Sequence, residues 1–287
     1  MINKEFCFEE EIRDVYLVTE RVKKIWYTEI NLLIAFDRMC KEHNLKYSVC
    51  YGTLLGAIRH KGFIPWDDDI DVCMPRSDYE KFKKIFPEIL NKIYKIRSIE
   101  NNNFDKPYLK MININTKVKT NIEKEDINDS LWIDIFPVDG LPEDYSKLKK
   151  IYNKARIYRM LLMINCLKKY KPKGFFKNFI KPIVIFIAKL FGKLYWSKKL
   201  EKLALINNYD KSKFVGILVW GLYGTGERMI KKGFEKKIEL EFEKNKFYVF
   251  SCWDDYLKGI YGEYMKIPPI ENRKIHDIEA YFIKEDK

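Results

Sequence analysis

Apolar residues recur every three to five positions from about Glu9 to Asn44 (Ile12, Val15, Leu17, Val22, Ile25, Ile30, Leu33, Ile34, Met39), with no Pro or Gly among them. That period predicts one long amphipathic helix, with room for a break near Tyr27-Thr28. The pattern then shortens. Tyr47 to Tyr51 and Ile70 to Met74 read as core strands around a short helix from Leu54 to His60, and Asp78 to Ile89 reads as a further helix. Tyr94 to Val118 is strand-like, with a strand at Tyr108 to Ile112, and Leu131 to Val138 is the next strand, stopped by Pro137 and Gly140. After Leu200 the chain predicts a strand from Phe214 to Trp220 and a loop from Gly221 to Gly226. A hairpin of Ile238 to Phe242 with Lys246 to Ser251 follows, then a helix from Asp254 to Tyr261 closed by Gly262. Gly224-Thr225-Gly226 lacks the strand, helix and Lys spacing of a phosphate loop and is read as a turn.

Charge changes this picture in one place. Between Tyr145 and Leu200 there are sixteen Lys or Arg and no Asp or Glu, more positive charge than the net +13 of all 287 residues. The second half of that segment, Phe175 to Trp196, is strongly apolar, but its longest uncharged run, Pro182 to Ala188, is far short of the ~20 residues of a spanning helix. Lys177, Lys181, Lys189 and Lys193 stand at multiples of four. This pattern suits a helix lying in an anionic membrane interface, or a basic solvent face on a core-packed helix. The basic block is interleaved with long aliphatics rather than spaced aromatics and Gly, so no nucleic-acid partner is expected, although a nucleic-acid-binding protein is the alternative from another class.

The six cysteines are scattered without zinc spacing, and Cys50 and Cys73 fall in strand-like runs that suit buried thiols. With Glu5, Glu9, Glu10 and Glu11 near the N-terminus and no basic and apolar leader, a cytoplasmic location is expected.

The chemistry concentrates between Tyr47 and Tyr79. Asp67, Asp68, Asp69 and Asp71 would repel one another unless they titrate abnormally or hold a cation. In Asp69-Ile70-Asp71-Val72 the alternation puts both carboxylates on one strand face. Asp134, in an aromatic strand with Trp132 and Phe136 on its face, needs a buried partner, which a metal held by Asp69 and Asp71 would supply. The Gly52-Thr53 turn opens a helix whose N-terminus welcomes an anion, and Arg59, with His60 and Lys61, could neutralise a diphosphate. Asp67 joins the metal ligands or is a loop acid, Asp68 is a solvated neighbour, and Phe63 and Trp66 pack the loop or stack on a base. Two aspartates on one strand suit Mg2+ or Mn2+ and phosphoryl or nucleotidyl transfer.

The string YGTLLGAIRHKGFIPWDDDIDV, followed by Arg76 and Asp78-Tyr79, resembles the hallmark of the LicD family. The likeness extends to LWIDIFPVDGLP at 131–142 and to YLKGIYGEYMKIPP with Arg273 and His276 after it, whereas 145–200 falls outside the family's motifs. The resemblance implies a single nucleotidyltransferase-fold domain over 1–287, of α+β class, with a mixed sheet flanked by helices and 145–200 as a helical insertion. It implies transfer of phosphocholine from CDP-choline to a hydroxyl of a lipid-linked or surface glycan such as lipopolysaccharide, teichoic acid or capsule. The enzyme would be peripheral on the inner face of the cell membrane. Transfer of a nucleoside monophosphate by the same carboxylates is the alternative. On this likeness Asp69, Asp71 and Asp134 are the catalytic carboxylates, Asp67 an added ligand, and Gly52, Thr53, Arg59, His60, Lys61, Arg76, Arg273 and His276 bind substrate. The zinc-type cysteine cluster of fukutin-related protein is not carried over.

Overall fold

The computed structural model describes residues 6–86, 93–101, 104–119, 129–166, 177–273 and 279–283. Strands β1 (Glu11–Arg13) and β2 (Tyr16–Val18) form a hairpin where the sequence period predicts helix. Its turn residues Asp14 and Val15 have φ of 48° and 59°, the left-handed pair that closes a two-residue hairpin. Ile12, Val15 and Leu17 all face solvent, so their spacing reflected no buried face. Helix α1 (Glu20–Glu42) begins only at Thr19, whose Oγ accepts the Val22 N–H, and then runs unbroken past Thr28.

Next in order come β3 (Ser48–Val49), α2 (Tyr51–Arg59), β4 (Ile70–Pro75), α3 (Arg76–Ile85), β5 (Tyr94–Arg97), β6 (Leu109–Asn113), β7 (Thr116–Lys119) and β8 (Trp132–Leu141), and the strands other than β7 belong to one mixed sheet. β4 and β8 run parallel, and β3, β5 and β6 add antiparallel strands. β8 is the spine. On one edge residues 133–138 pair with β4; on the other, residues 132–135 pair with β6 and residues 139–141 with β9 (Phe214–Gly216). Pro137 lies in the gap between those two ladders, which is why a residue with no N–H does not end the strand as its type predicts. Trp26, stacked on Phe63 at 4.8 Å, and Phe36 and Phe82 fill the core between α1, α3 and the sheet.

Between β8 and β9 lie α4 (Tyr145–Cys166) and α5 (Lys177–Ala204), the latter bent at Gly192, φ 73°. They share a second core of Leu148, Tyr152, Leu162, Ala188, Trp196 and Leu200, which Leu218 and Val219 complete. The expected strand to Trp220 stops at Gly216, because Arg159 of α4 draws the following chain out of the sheet by donating to the carbonyls of Leu218 and Gly221. Beyond it come β10 (Met229–Ile230), α6 (Lys231–Glu235), the hairpin β11 (Lys237–Phe242) and β12 (Asn245–Phe250), α7 (Trp253–Tyr261) closed by Gly262 at φ 68°, and β13 (Glu279–Phe282) on β7. With seven α-helices among the described residues around a mixed sheet, the fold class is α+β.

Candidate active site

Parallel pairing sets Asp71 of β4 directly beside Asp134 of β8. Asp67 and Asp69 precede β4, and all four carboxylates line one cavity of about 280 Å3 with Tyr51, Gly52 and Phe136. Three local devices hold the loop there. The Asp71 N–H donates to Thr53 Oγ1 at 2.8 Å, and the Trp26 indole N–H donates to the Asp67 carbonyl at 2.8 Å. At Gly52 a Cβ would come within 2.6 Å of Asp67 Oδ2, so a larger residue there would push that carboxylate away from α2.

These carboxylates are electrostatically strained. Burial, then the charges of Asp69, Asp134 and Asp67, push Asp71 well above the ordinary carboxylate range. Burial also raises Asp134, opposed by the nearby Lys110 and Lys106 cations. Lys110 is the cross-strand neighbour of Asp134 and supplies part of the partner the sequence left open, yet Asp134 Oδ1 has no hydrogen-bond partner. A buried orphan oxygen among repelling carboxylates is an oxygen set that suits a divalent cation. The side chains do not already converge on a point: among the described residues no group of three or more His, Cys, Asp or Glu stands at metal-holding spacing.

A second cavity of about 410 Å3 shares Gly52, Asp67, Tyr223 and Tyr261 with the first and continues to Arg59, Trp66 and Lys266. Arg59 donates Nη1 to the Tyr264 carbonyl and Nε to His60 Nε2, each at 2.8 Å. The Arg273 guanidinium lies 4.3 Å from the Trp66 ring centre and donates to the carbonyls of Pro268 and Asp14. Phe63 is buried packing, whereas Trp66 lines this cavity.

The remaining expected residues lie elsewhere. Thr53 is buried and directs its hydroxyl at the backbone of β4. His60 pairs with Asp14, and burial lowers it to about 4, so it is neutral at pH 7. Lys61 is exposed and lines neither cavity. Asp68 is buried rather than solvated. Arg76 is buried against Asp139 and Glu201. His276 falls outside the described residues.

Sequence reading missed four kinds of participant. Glu29 of α1 is fully buried with neither carboxylate oxygen hydrogen-bonded, and burial followed by the charges of Asp68, Asp69, Asp67 and Asp71 raises it far. Its signal was visible: a Glu on the buried stripe of Trp26, Ile30 and Leu33. Lys110 and Lys106 had none. Glu227 is buried, raised to about 8 by that burial, and accepts from the Tyr51 hydroxyl and the Tyr223 N–H. The aromatic residues Trp220, Tyr223 and Tyr261 reach the carboxylates from a loop and the end of α7, both remote in sequence.

A profile of the LicD/FKTN/FKRP nucleotidyltransferase domain matches residues 44–183, which hold all four cavity aspartates. The chain is 31% identical over 259 residues to the lipopolysaccharide cholinephosphotransferase LicD of Haemophilus influenzae, covering 88% of this chain and 95% of that one. It is also 35% identical over 98 residues to an uncharacterized protein of Rickettsia typhi and over 89 residues to one of Rickettsia prowazekii. Those two alignments cover 32% and 29% of this chain.

Proposed function

This chain belongs to the LicD family of nucleotidyltransferase-domain proteins, and from that premise we propose that it transfers phosphocholine from CDP-choline to a hydroxyl of lipopolysaccharide or a related surface-glycan precursor. The observation that carries the reading is the parallel register of Asp71 with Asp134 over a cavity that Asp67 and Asp69 share. Asp67, Asp69, Asp71 and Asp134 would hold Mg2+ or Mn2+, which when bound neutralises developing charge on the transferring phosphoryl group. The nucleotide half of the donor fits the adjoining cavity, where Trp66 offers a ring and Arg59 keeps Nη2 beyond its two bonds for a phosphate oxygen. The acceptor oxygen forms a bond to the choline-bearing phosphorus, the bond from that phosphorus to the CMP oxygen breaks, and Asp134, whose basicity is raised by burial, takes the hydroxyl proton. CMP should appear with CDP-choline, acceptor and Mg2+, and EDTA should stop it. Release of pyrophosphate from CTP instead would favour nucleotidyl transfer and overturn this reading.

The acceptor is lipid-borne in this reading, and α5 suits a membrane surface. No helix among the described residues is long and apolar enough to cross one. Yet Ile183, Phe186, Ile187, Leu190, Phe191 and Leu194 are all at least 40% exposed and follow a helical period, so the solvent face of α5 is an apolar stripe. Lys189 lies exposed within that stretch, and Lys193 bonds Asp105. The side chains of Lys177 and Lys181 are outside the described residues. An apolar stripe in an acid-free basic segment matches an anionic interface. The double variant Phe186→Glu, Leu190→Glu should stay in the supernatant when the protein is sedimented with anionic liposomes, while the unmodified chain pellets. Equal sedimentation of the two would remove α5 as the contact.

A further inference from the structure

Five aromatic rings share the wall of the carboxylate cavity: Tyr51, Phe136, Trp220, Tyr223 and Tyr261. They come from α2, β8, the loop that Arg159 holds out of the sheet, and the end of α7. Their mutual geometry is that of a box rather than a stack. Tyr51 meets Phe136 at 5.5 Å and 89°, and Tyr223 meets Tyr261 at 5.1 Å and 80°, while Tyr51 and Tyr223 lie 6.1 Å apart at 34°. Rings at right angles present faces and edges from different sides of one space. Half-exposed Tyr223 makes one rim of it, and Tyr51 is fixed from behind by its hydroxyl on Glu227.

We propose that this aromatic box is the subsite for the quaternary ammonium of the transferred alcohol, and that it selects trimethylated over primary ammonium and over neutral donors. A quaternary ammonium has no N–H to offer a carboxylate or carbonyl, so it is recognised by π faces and diffuse negative charge. The adjoining cavity also has rings and acids, but the cations Arg59 and Lys266 stand among them and oppose an ammonium, whereas no Lys or Arg lines the carboxylate cavity. The same wall already attracts a cation: the Lys106 ammonium lies 5.3 Å from the Trp220 ring centre and 5.8 Å from that of Tyr108. The placement also fits the chemistry. Only two methylenes separate the ester oxygen from the nitrogen in phosphocholine, so the ammonium must lie within a few atoms of the phosphorus, and the box adjoins the carboxylates without intervening chain. Tyr51 and Phe136 lie within the profile-matched residues 44–183 and Trp220, Tyr223 and Tyr261 outside them, so the box joins rings of the phosphate-handling segment to rings contributed by the C-terminal part of the chain.

The proposal deepens the phosphocholine reading and rests on it for the identity of the alcohol, but binding separates the two. Calorimetry with phosphocholine, phosphoethanolamine and 3,3-dimethylbutyl phosphate, the neutral carbon isostere, is expected to show about thirtyfold tighter binding of phosphocholine than of the isostere. Tyr223→Leu and Trp220→Leu should each erase most of that preference and Tyr223→Phe should keep it, and CMP affinity should be unchanged in Trp220→Leu, whose ring lines the carboxylate cavity but not the adjoining one. Tyr223 is half-exposed, so its variants report on binding rather than folding. Equal affinity of phosphocholine and isostere for the unmodified chain overturns the box, even if CMP is released from CDP-choline. A phosphocholine preference that survives both leucine variants, or a loss in Trp220→Leu matched by an equal loss for CMP, overturns it as well. A ring-dependent preference without CMP release upholds the box and overturns the transfer reading instead.

Discussion

Replacing Asp71 by Asn is expected to lower kcat by about a thousandfold or more, ~4 kcal/mol in transition-state stabilisation, while leaving the protein as stable as before or more so. The two halves of that expectation have one cause. Asp71 is crowded by burial and by Asp69, Asp134 and Asp67, so its folded-state pKa lies above the unfolded value. A group shifted in that direction adds stability only below the unfolded pKa and loses it as pH rises, so at neutral pH its carboxylate is a cost to the folded chain. Asn keeps the shape and the backbone N–H that Thr53 accepts, and removes the charge. Mg2+ or Mn2+ should raise the melting temperature of the unmodified chain, since an ion bound only to the native state stabilises it, and should do so far less in the variant. Activity within tenfold of the unmodified chain, or an undiminished ion-induced shift, would sink the role given to Asp71.

The same residue shows how far the sequence could be read. Alternation in Asp69-Ile70-Asp71-Val72 is a local pattern, and β4 follows it: Ile70 and Val72 are fully buried while Asp69 and Asp71 face the cavity. The facing position of Asp134 was legible because a lone carboxylate in an aromatic strand needs a partner, and pairing brings it beside Asp71. What failed was whatever depends on the far side of a contact. The Glu9 to Val18 spacing fits a helix until the turn at Asp14 and Val15 and the cap at Thr19 are known. Lys110 is opposite Asp134 only because β6 runs antiparallel on β8. The aromatic wall depends on Arg159 drawing residues 217–221 onto α4, a contact about sixty residues apart in sequence that no local period records.

Arg76 is the sharpest case, because its type and its place next to the motif point to phosphate whereas its surroundings point to structure. Its Nε and Nη2 make a fork on Asp139 at 2.7 and 2.9 Å, and Nη1 reaches Glu201 of α5 at 2.6 Å and Glu80 at 3.2 Å. Arg76 and Asp139 are buried, and Arg76 lines neither cavity at the carboxylates. The cluster therefore ties α3 and β8 to the helical hairpin. Arg76→Met leaves Asp139 buried and unpaired, which costs about 3–5 kcal/mol and lowers Tm by ~10 °C. Glu201, already raised to about 7 by burial against the opposing pull of Arg76, would rise further once that cation is gone. Pairing Arg76→Met with Asp139→Leu should recover much of the loss, since an apolar pair of similar volume carries no stranded charge. A phosphate-binding Arg76 makes the opposite forecast: Arg76→Met would melt normally and weaken CDP-choline binding, and Asp139→Leu would rescue nothing. Thermal melts and donor titrations on the single and double variants decide between a clamp and a ligand. With every donor nitrogen already on a carboxylate, the clamp is the outcome the geometry requires.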